Sequence, residues 1–207
     1  MNSMSVLAAT LAVCSSVGLG EQLVKGPIVV LLGPPGSGKT LQAAAAAKYL
    51  KVPVVSVEEL IKTNAAELQR VRRSGITGIE PATDPMLNKF FEARLRQGDV
   101  AGGMILDGYP NTKDHADFAA KLVESGVISK PIVVHLRVSD DMVRKRLGGK
   151  QRKVSASVEQ RLKDYHRETV ALKLYFPDAE IVDVDGKKKP AAVTKSIKAI
   201  LKAKFDK

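Results

Sequence analysis

The fold is decided by one stretch, Gly33-Pro34-Pro35-Gly36-Ser37-Gly38-Lys39-Thr40, which fits the pattern G-x-x-x-x-G-K-[ST]. The segment before it, Ile28 to Leu32, is apolar and begins with β-branched residues, so it predicts a buried strand. The segment after it, Leu41 to Leu50, contains five consecutive alanines and predicts a helix. The motif thus stands in the strand–loop–helix context that phosphate binding requires, and we expect a nucleoside triphosphate as ligand.

Each part of this loop has a physical role toward an anion. Glycines let backbone N–H groups turn inward, and the N-terminus of the following helix adds partial positive charge. We expect Lys39 to reach the β- and γ-phosphates and the Thr40 hydroxyl to bind Mg²⁺. A chance glycine turn followed by a lysine is the alternative, and the agreement of motif and context argues against it. The residues expected to bind ATP here are Gly33, Pro34, Pro35, Gly36, Ser37, Gly38, Lys39, Thr40 and Leu41.

Composition indicates one globular domain with an anionic ligand. The chain has 207 residues, of which 44% are hydrophobic, and no apolar run approaches the roughly 20 residues of a membrane span. A single cysteine, Cys14, excludes an internal disulfide framework and argues against structural zinc. The net charge of +11 fits either nucleic acid or phosphate-rich nucleotides, and the low aromatic content of 4% favours nucleotides. Lys187-Lys188-Lys189 is interpreted as a solvated turn.

Residues 1–25 differ from the rest of the chain. Val6 to Val17 is mostly small and apolar, and Gly18-Leu19-Gly20 could serve as a cleavage site, as in a secretory signal. However, no Lys or Arg precedes the apolar run, and little ATP is available outside the cell. We therefore favour an N-terminal extension of a cytoplasmic protein, with an exported protein as the alternative.

Strands and helices alternate along the remaining chain, 26–207. Further strands are predicted at 52–57, 104–106, 131–138 and 181–184; helices are predicted at 58–73 as two short pieces, 84–97, 112–123, 139–148, 157–175 and from 190 onward. This alternation predicts an α/β fold with a five-stranded parallel sheet and helices on both faces. Ligands of such sheets lie beyond the carboxyl ends of the strands, where the loop and Asp107 both fall.

Four stretches together resemble adenylate kinases, which are nucleoside monophosphate kinases. They are Gly33–Thr40 with Gln42; Ile105-Leu106-Asp107-Gly108-Tyr109-Pro110, similar to L-D-G-[FY]-P-R; Arg161-Leu162-Lys163-Asp164-Tyr165 with Thr169, similar to R-L-x-x-Y; and Val184-Asp185-Gly186, similar to the loop near the ATP base. The resemblance implies a P-loop kinase fold with an acceptor-binding region at about 56–97 and a short lid at about 148–157, without a larger insertion or a zinc site.

The resemblance also implies the reaction, which is reversible transfer of the ATP γ-phosphoryl group to AMP or a related monophosphate. Mg²⁺ is the implied cofactor, and no general base is needed because the acceptor is already a phosphate anion. Asp107 would hold a Mg²⁺-bound water, or it is simply a turn aspartate. We expect a monomer with ATP and a nucleoside monophosphate as partners, and neither nucleic acid nor membrane.

Basic residues take their roles from the same resemblance. The implied catalytic residues are Lys39, Lys150, Arg152 and Arg161; Arg146 would stack on the ATP base, near Gly186; and the implied acceptor-binding residues are Ser56, Lys62, Gly108, Asn111 and His115. For each basic residue the alternative is an exposed position on a polar helix face.

The acceptor half departs from the family pattern while the ATP half keeps it. Lys62 and Asn111 replace arginines, and His115 replaces a glutamine that binds the acceptor adenine. Lysine cannot offer the bidentate fork of arginine, and asparagine carries no charge. Two other functions therefore stay open, a nucleotide-binding module with weak or lost catalysis and a kinase for another small acceptor. The L-D-G-Y-P stretch argues against a shikimate-type kinase.

Overall fold

A single parallel sheet organises the part of the chain that the computed structural model describes, residues 23–73, 83–148, 156–175 and 180–206. Its strands are β1 (Ile28–Leu32), β2 (Val54–Ser56), β3 (Met104–Asp107), β4 (Ile132–Arg137) and β5 (Glu180–Asp185), in the order β2-β3-β1-β4-β5. Every neighbouring pair is parallel. The predicted five-stranded parallel sheet is confirmed.

Helices connect these strands as the alternation predicted. They are α1 (Lys39–Leu50), α2 (Val57–Thr63), α3 (Ala65–Arg73), α4 (Asp84–Leu95), α5 (Lys113–Glu124), α6 (Asp140–Leu147), α7 (Ala156–Tyr175) and α8 (Pro190–Phe205), with a 3₁₀ turn at Gly98–Val100. Boundaries differ from the predictions by a few residues. The second strand, for example, begins at Val54, because Pro53 has no N–H to give to a sheet ladder. None of the helices in the described ranges is long and apolar enough to cross a bilayer.

The sheet separates two apolar layers. Val30 and Leu32 of β1 contribute to the layer that includes α4 and α5, whereas Val29 and Leu31 contribute to the layer that includes α1 and α8. This division follows from the alternation of side chains along a strand. The alanine run packs in the second layer, where Ala43, Ala46 and Ala47 are buried. Their small side chains let α1 lie close to the sheet, directly behind the loop that precedes it.

Strand register brings three chain segments to one edge of the sheet. Leu31 pairs with Asp107 of β3, and Leu32 pairs with His135 of β4. The carboxyl ends of β1, β3 and β4 therefore meet where the loop 33–38 begins. Residues 1–22, with the possible secretory segment, and most of the predicted lid at 148–157 lie outside the described residues.

Candidate active site

The loop between β1 and α1 has the backbone geometry of an anion site. Gly36 and Gly38 have φ values of 70° and 94°, in the left-handed region that glycine adopts without steric cost. Gly38 is the N-cap of α1, and a Cβ placed on it would meet nothing within 4 Å. The space in front of the helix N-terminus is thus open on this side. The first N–H groups of a helix have no partner within the helix, so they are suited to bind phosphate oxygens there.

Two side chains of the loop complete this site. Lys39 Nζ donates to the carbonyl oxygens of Gly33, at 2.6 Å, and Pro34, at 3.1 Å, which holds the ammonium across the loop. Ser37 is 6% exposed, and its Oγ has no hydrogen-bond partner among the described residues. A buried hydroxyl without a partner is costly unless something binds it. Both side chains therefore fit a loop that is built to hold an anionic ligand.

A cavity of about 310 Å³ adjoins the loop and unites residues from both predicted halves of the site. The predicted site residues that line it are Gly33, Pro35, Lys39, Gly108, Asn111 and Arg161. Arg161 reaches it from α7, and Gly108 and Asn111 reach it from the segment after β3. Residues more than one hundred positions apart in sequence thus face one space, which is large enough for phosphate groups.

Arg146 joins the loop to the turn after β5. Its guanidinium donates from Nη1 to the Gly36 carbonyl at 3.1 Å and from Nη2 to the Gly186 carbonyl at 2.8 Å. The side chain of the next residue, Leu147, lies against Gly36. Arg146 and Gly186, both predicted to lie near the ATP base, are therefore in direct contact, and Arg146 also contacts the phosphate loop at Gly36. Stacking of Arg146 on that base stays a prediction.

The predicted magnesium ligands lie near the same sheet edge. Thr40 is exposed on the first turn of α1, and Asp107 is 8% exposed at the end of β3. Hydroxyl and carboxylate oxygens are ligands that Mg²⁺ prefers, and it often takes only one or two from protein, the others coming from phosphates and water. The described residues contain no cluster of three or more His, Cys, Asp or Glu for a metal. The residues present therefore fit Mg²⁺ bound together with a nucleotide.

The acceptor side contains a contact between Asn111 and His115 that the sequence did not predict. His115 is fully buried, and its Nδ1 lies 2.8 Å from Asn111 Oδ1. Because an amide oxygen can only accept, we infer that Nδ1 carries the proton. Nε2 lies 3.4 Å from Asp84 Oδ1 without a hydrogen bond. Burial lowers the pKa of His115, although the charges of Asp84 and Asp114 act in the opposite direction, so the ring is neutral near pH 7.

His115 could either bind the edge of the acceptor base or pack against the loop after β3. In the structure its ring packs against that loop. It lies 4.8 Å from the ring of Tyr109, centroid to centroid. Tyr109 is itself fully buried and donates its hydroxyl to Asn88 Oδ1 at 2.7 Å. Contact between His115 and an acceptor base stays a prediction.

Other predicted residues have different surroundings. Ser56 is the N-cap of α2: its Oγ accepts from the Glu59 N–H at 3.0 Å, and the Glu59 carboxylate accepts from the Ser56 N–H at 3.4 Å. This reciprocal cap could have been found in the sequence from the S-x-x-E spacing. Lys62 is exposed on α2. Lys150 and Arg152 lie outside the described residues, so their catalytic roles stay predictions.

Sequence reasoning also missed two residues that line the cavity, Asp164 and Tyr165, as well as the partner of Tyr165. The Tyr165 hydroxyl lies 2.7 Å from Nε2 of His135 in β4. The available signal was a histidine inside the apolar strand Ile132–Arg137, since buried polar side chains require partners.

Comparison with known proteins agrees with this geometry. The family model described as adenylate kinase matches residues 31–181, which run from the end of β1 into β5. The chain belongs to the adenylate kinase family. It is 34% identical over 166 residues to an adenylate kinase of Mycobacteroides abscessus, covering 76% of this chain and 91% of that protein. It is 31% identical over 179 residues to adenylate kinase 1 of Nostoc sp., covering 84% and 97%.

Membership in the adenylate kinase family narrows the functions that the sequence left open. A further adenylate kinase, from Nocardia farcinica, is 32% identical over 163 residues, which cover 76% of this chain and 90% of that protein. The protein is thus an adenylate kinase-like phosphotransferase of the nucleoside monophosphate kinase type. Neither a binding module without catalysis nor a kinase for an unrelated small acceptor is favoured.

Proposed function

We propose that the protein catalyses reversible transfer of the γ-phosphoryl group from ATP to AMP, giving two molecules of ADP. The observation that carries this proposal is the shared cavity, in which Lys39 of the phosphate loop, Arg161 of α7 and Asn111 of the acceptor segment face the same space. Transfer requires the two phosphate groups to meet in line. A cavity lined from both halves of the site allows this meeting.

The protein's own contribution is positioning and positive charge. Lys39 acts on the β- and γ-phosphates after exchanging its carbonyl contacts for phosphate oxygens, and Arg161 offers a guanidinium to the group in transfer. Thr40, and Asp107 through a water, would hold Mg²⁺, and the ion would supply neutralisation of phosphate charge. Lys150 and Arg152 are proposed as further phosphate ligands. No side chain has to remove a proton, because the attacking atom is an oxygen of a phosphate anion.

The partners we propose follow from this reaction. ATP and AMP are the substrates, and their phosphates account for the excess of positive charge without nucleic acid or membrane. We further propose that the enzyme acts as a monomer in the cytoplasm, where both nucleotides are plentiful.

A coupled assay tests the proposal. Wild-type protein with Mg²⁺ and ATP is supplied with AMP, CMP, UMP or GMP in parallel, and formation of ADP is followed. The matched control is Lys39→Met, which keeps an unbranched stem of similar length but removes the ammonium. We expect turnover with AMP well above that control. Wild-type protein that binds ATP but turns over none of the four acceptors faster than Lys39→Met would overturn the proposal.

A further inference from the structure

A chain of polar side chains runs from the cavity into the sheet. Tyr165 lines the cavity, and its hydroxyl lies 2.7 Å from His135 Nε2. His135 is 6% exposed within β4, and its Nδ1 lies 2.8 Å from Oδ1 of Asp183 on β5. His135 and Asp183 are direct neighbours in the register of the two strands. The contacts therefore connect a cavity residue to two strands through one buried imidazole.

The ionisation of Asp183 fixes the direction of its hydrogen bond with His135. Burial by itself would raise the pKa of Asp183. Hydrogen bonds from Arg137, at 2.9 Å, and from His135 lower the pKa by more than burial raises it, so the pKa lies below its ordinary value. The carboxylate is therefore ionised and accepts from Nδ1–H of His135. In the neutral ring Nε2 is then an acceptor, and the Tyr165 hydroxyl donates to it. The ring and the hydroxyl of Tyr165 are consequently held in one orientation.

Arg161 stands one helical turn before Tyr165 on α7. Residues four apart lie on the same face of a helix, about 6 Å apart along its axis, and both line the cavity. Any displacement of this turn therefore moves the Arg161 guanidinium relative to the phosphate loop.

Two other polar contacts of α7 among the described residues reach α6. Glu159 accepts from Nε and Nη2 of Arg144 at 2.7 and 3.1 Å, and His166 Nε2 lies 3.0 Å from both carboxylate oxygens of Asp140. The Tyr165–His135 hydrogen bond instead reaches the strand beside the phosphate loop, because His135 pairs with Leu32, the residue before Gly33. It thus ties the helix that carries Arg161 to β4, the strand that pairs with β1 just before the phosphate loop.

We propose that His135 and Asp183 are positioning residues, which hold α7 through Tyr165 so that Arg161 meets the phosphates bound by Lys39. The inference rests on the proposed kinase function. A misplacement of about 1 Å in a transfer site can cost about 100-fold in rate, so a modest tilt of α7 is enough to matter. We expect loss of these contacts to lower kcat and not to raise KM for ATP, since ATP is held mainly by the loop between β1 and α1.

Tyr165→Phe is the direct test, because it removes one oxygen and keeps the ring. We expect kcat to fall about tenfold while KM for ATP changes less than about twofold. Asp183→Ala should lower kcat in the same way, and it is safe for folding because the Asp183 side chain is 50% exposed. The matched control is His166→Gln, which alters another histidine contact of α7, on its exposed side, and should leave kcat unchanged. Thermal melts of all variants confirm that they are folded.

A double-mutant cycle separates positioning from a general loss of structure. If Tyr165 acts through Arg161, Tyr165→Phe placed on Arg161→Ala should lower kcat by less than about twofold, because the group that it positions is gone. An equal loss in both backgrounds would overturn the inference, and so would a Tyr165→Phe enzyme with wild-type kcat. If wild-type protein shows no phosphoryl transfer, both the proposed function and this inference are wrong. If the wild type is active and Tyr165→Phe is equally active, only this inference is wrong.

Discussion

Replacing Asn111 with arginine tests how the acceptor half of the site works. In the structure, Asn111 lines the cavity beside Lys39 and Arg161, and its Oδ1 accepts the Nδ1–H of buried His115. Asn111→Arg removes that acceptor. A buried donor left without a partner costs about 1–3 kcal/mol. For a chain of 207 residues, each kcal/mol lowers the melting temperature by about 2–4 °C. We therefore expect a protein that is measurably less stable.

Activity should change in the opposite direction. A guanidinium at this position can pair with the acceptor phosphate through two parallel hydrogen bonds, where asparagine offers only neutral ones. Each charge-assisted bond is worth about 1.5–3 kcal/mol, so one bond alone corresponds to roughly a tenfold or greater gain in kcat/KM for AMP. The gain appears as a lower KM if the bond already forms with bound AMP, and as a higher kcat if it forms only during transfer.

The assay compares kcat/KM for AMP, CMP, UMP and GMP at saturating ATP, with thermal melts of the same preparations. Asn111→Lys separates charge from the bidentate fork, and Asn111→Gln keeps the amide without charge. A gain that is selective for AMP supports the adenylate kinase reaction. If Asn111→Arg lowers kcat/KM for every acceptor, the electrostatic reasoning is refuted. Asn111 would then have an adapted role with His115, and the natural acceptor would not be a standard monophosphate.

Three further expectations follow from individual contacts. Lys39→Met should lower kcat by about 100- to 1000-fold with little change in melting temperature, because the ammonium acts on phosphate charge. Steady-state rates measure the change in kcat, and a thermal melt measures the change in stability. Full activity of the variant would remove Lys39 from the mechanism. Arg94→Met should reduce the free energy of unfolding by about 2–3 kcal/mol. The reason is that Arg94 is 7% exposed and donates to Asp99 at 2.7 and 2.8 Å and to Glu59 at 3.2 Å. An unchanged urea midpoint would contradict this prediction. Lowering the pH below about 6.5 should reduce stability, because burial lowers the pKa of His115 and the unfolded chain then binds a proton that the folded chain excludes. His115→Gln should flatten this slope between about pH 7 and 5.5, and equal slopes in the two proteins would count against it.

The sequence by itself determined the features that depend on neighbours along the chain. The strand, glycine loop and alanine-rich helix around Gly33–Thr40 follow from backbone freedom, helix propensity and apolar pattern within about twenty residues. The alternation of strands and helices then sufficed for a parallel sheet, since parallel neighbours need a crossover between them. The position of Asp107 at the loop edge followed from the same rule, because the carboxyl ends of parallel strands lie together.

Only the tertiary structure decided which side chains bind one another across the fold. The Tyr165–His135 and His135–Asp183 contacts join residues 30 and 48 positions apart, and they depend on the register of β4 with β5 and on where α7 packs. Likewise, the burial of His115 behind Asn111 depends on how α4 and α5 pack around the loop after β3. Local sequence patterns specify helices, strands and turns, because the interactions that stabilise these elements are between residues close together in the chain. Partner choice for a buried polar group is set by packing between elements that are distant in sequence, and the linear pattern does not contain that information.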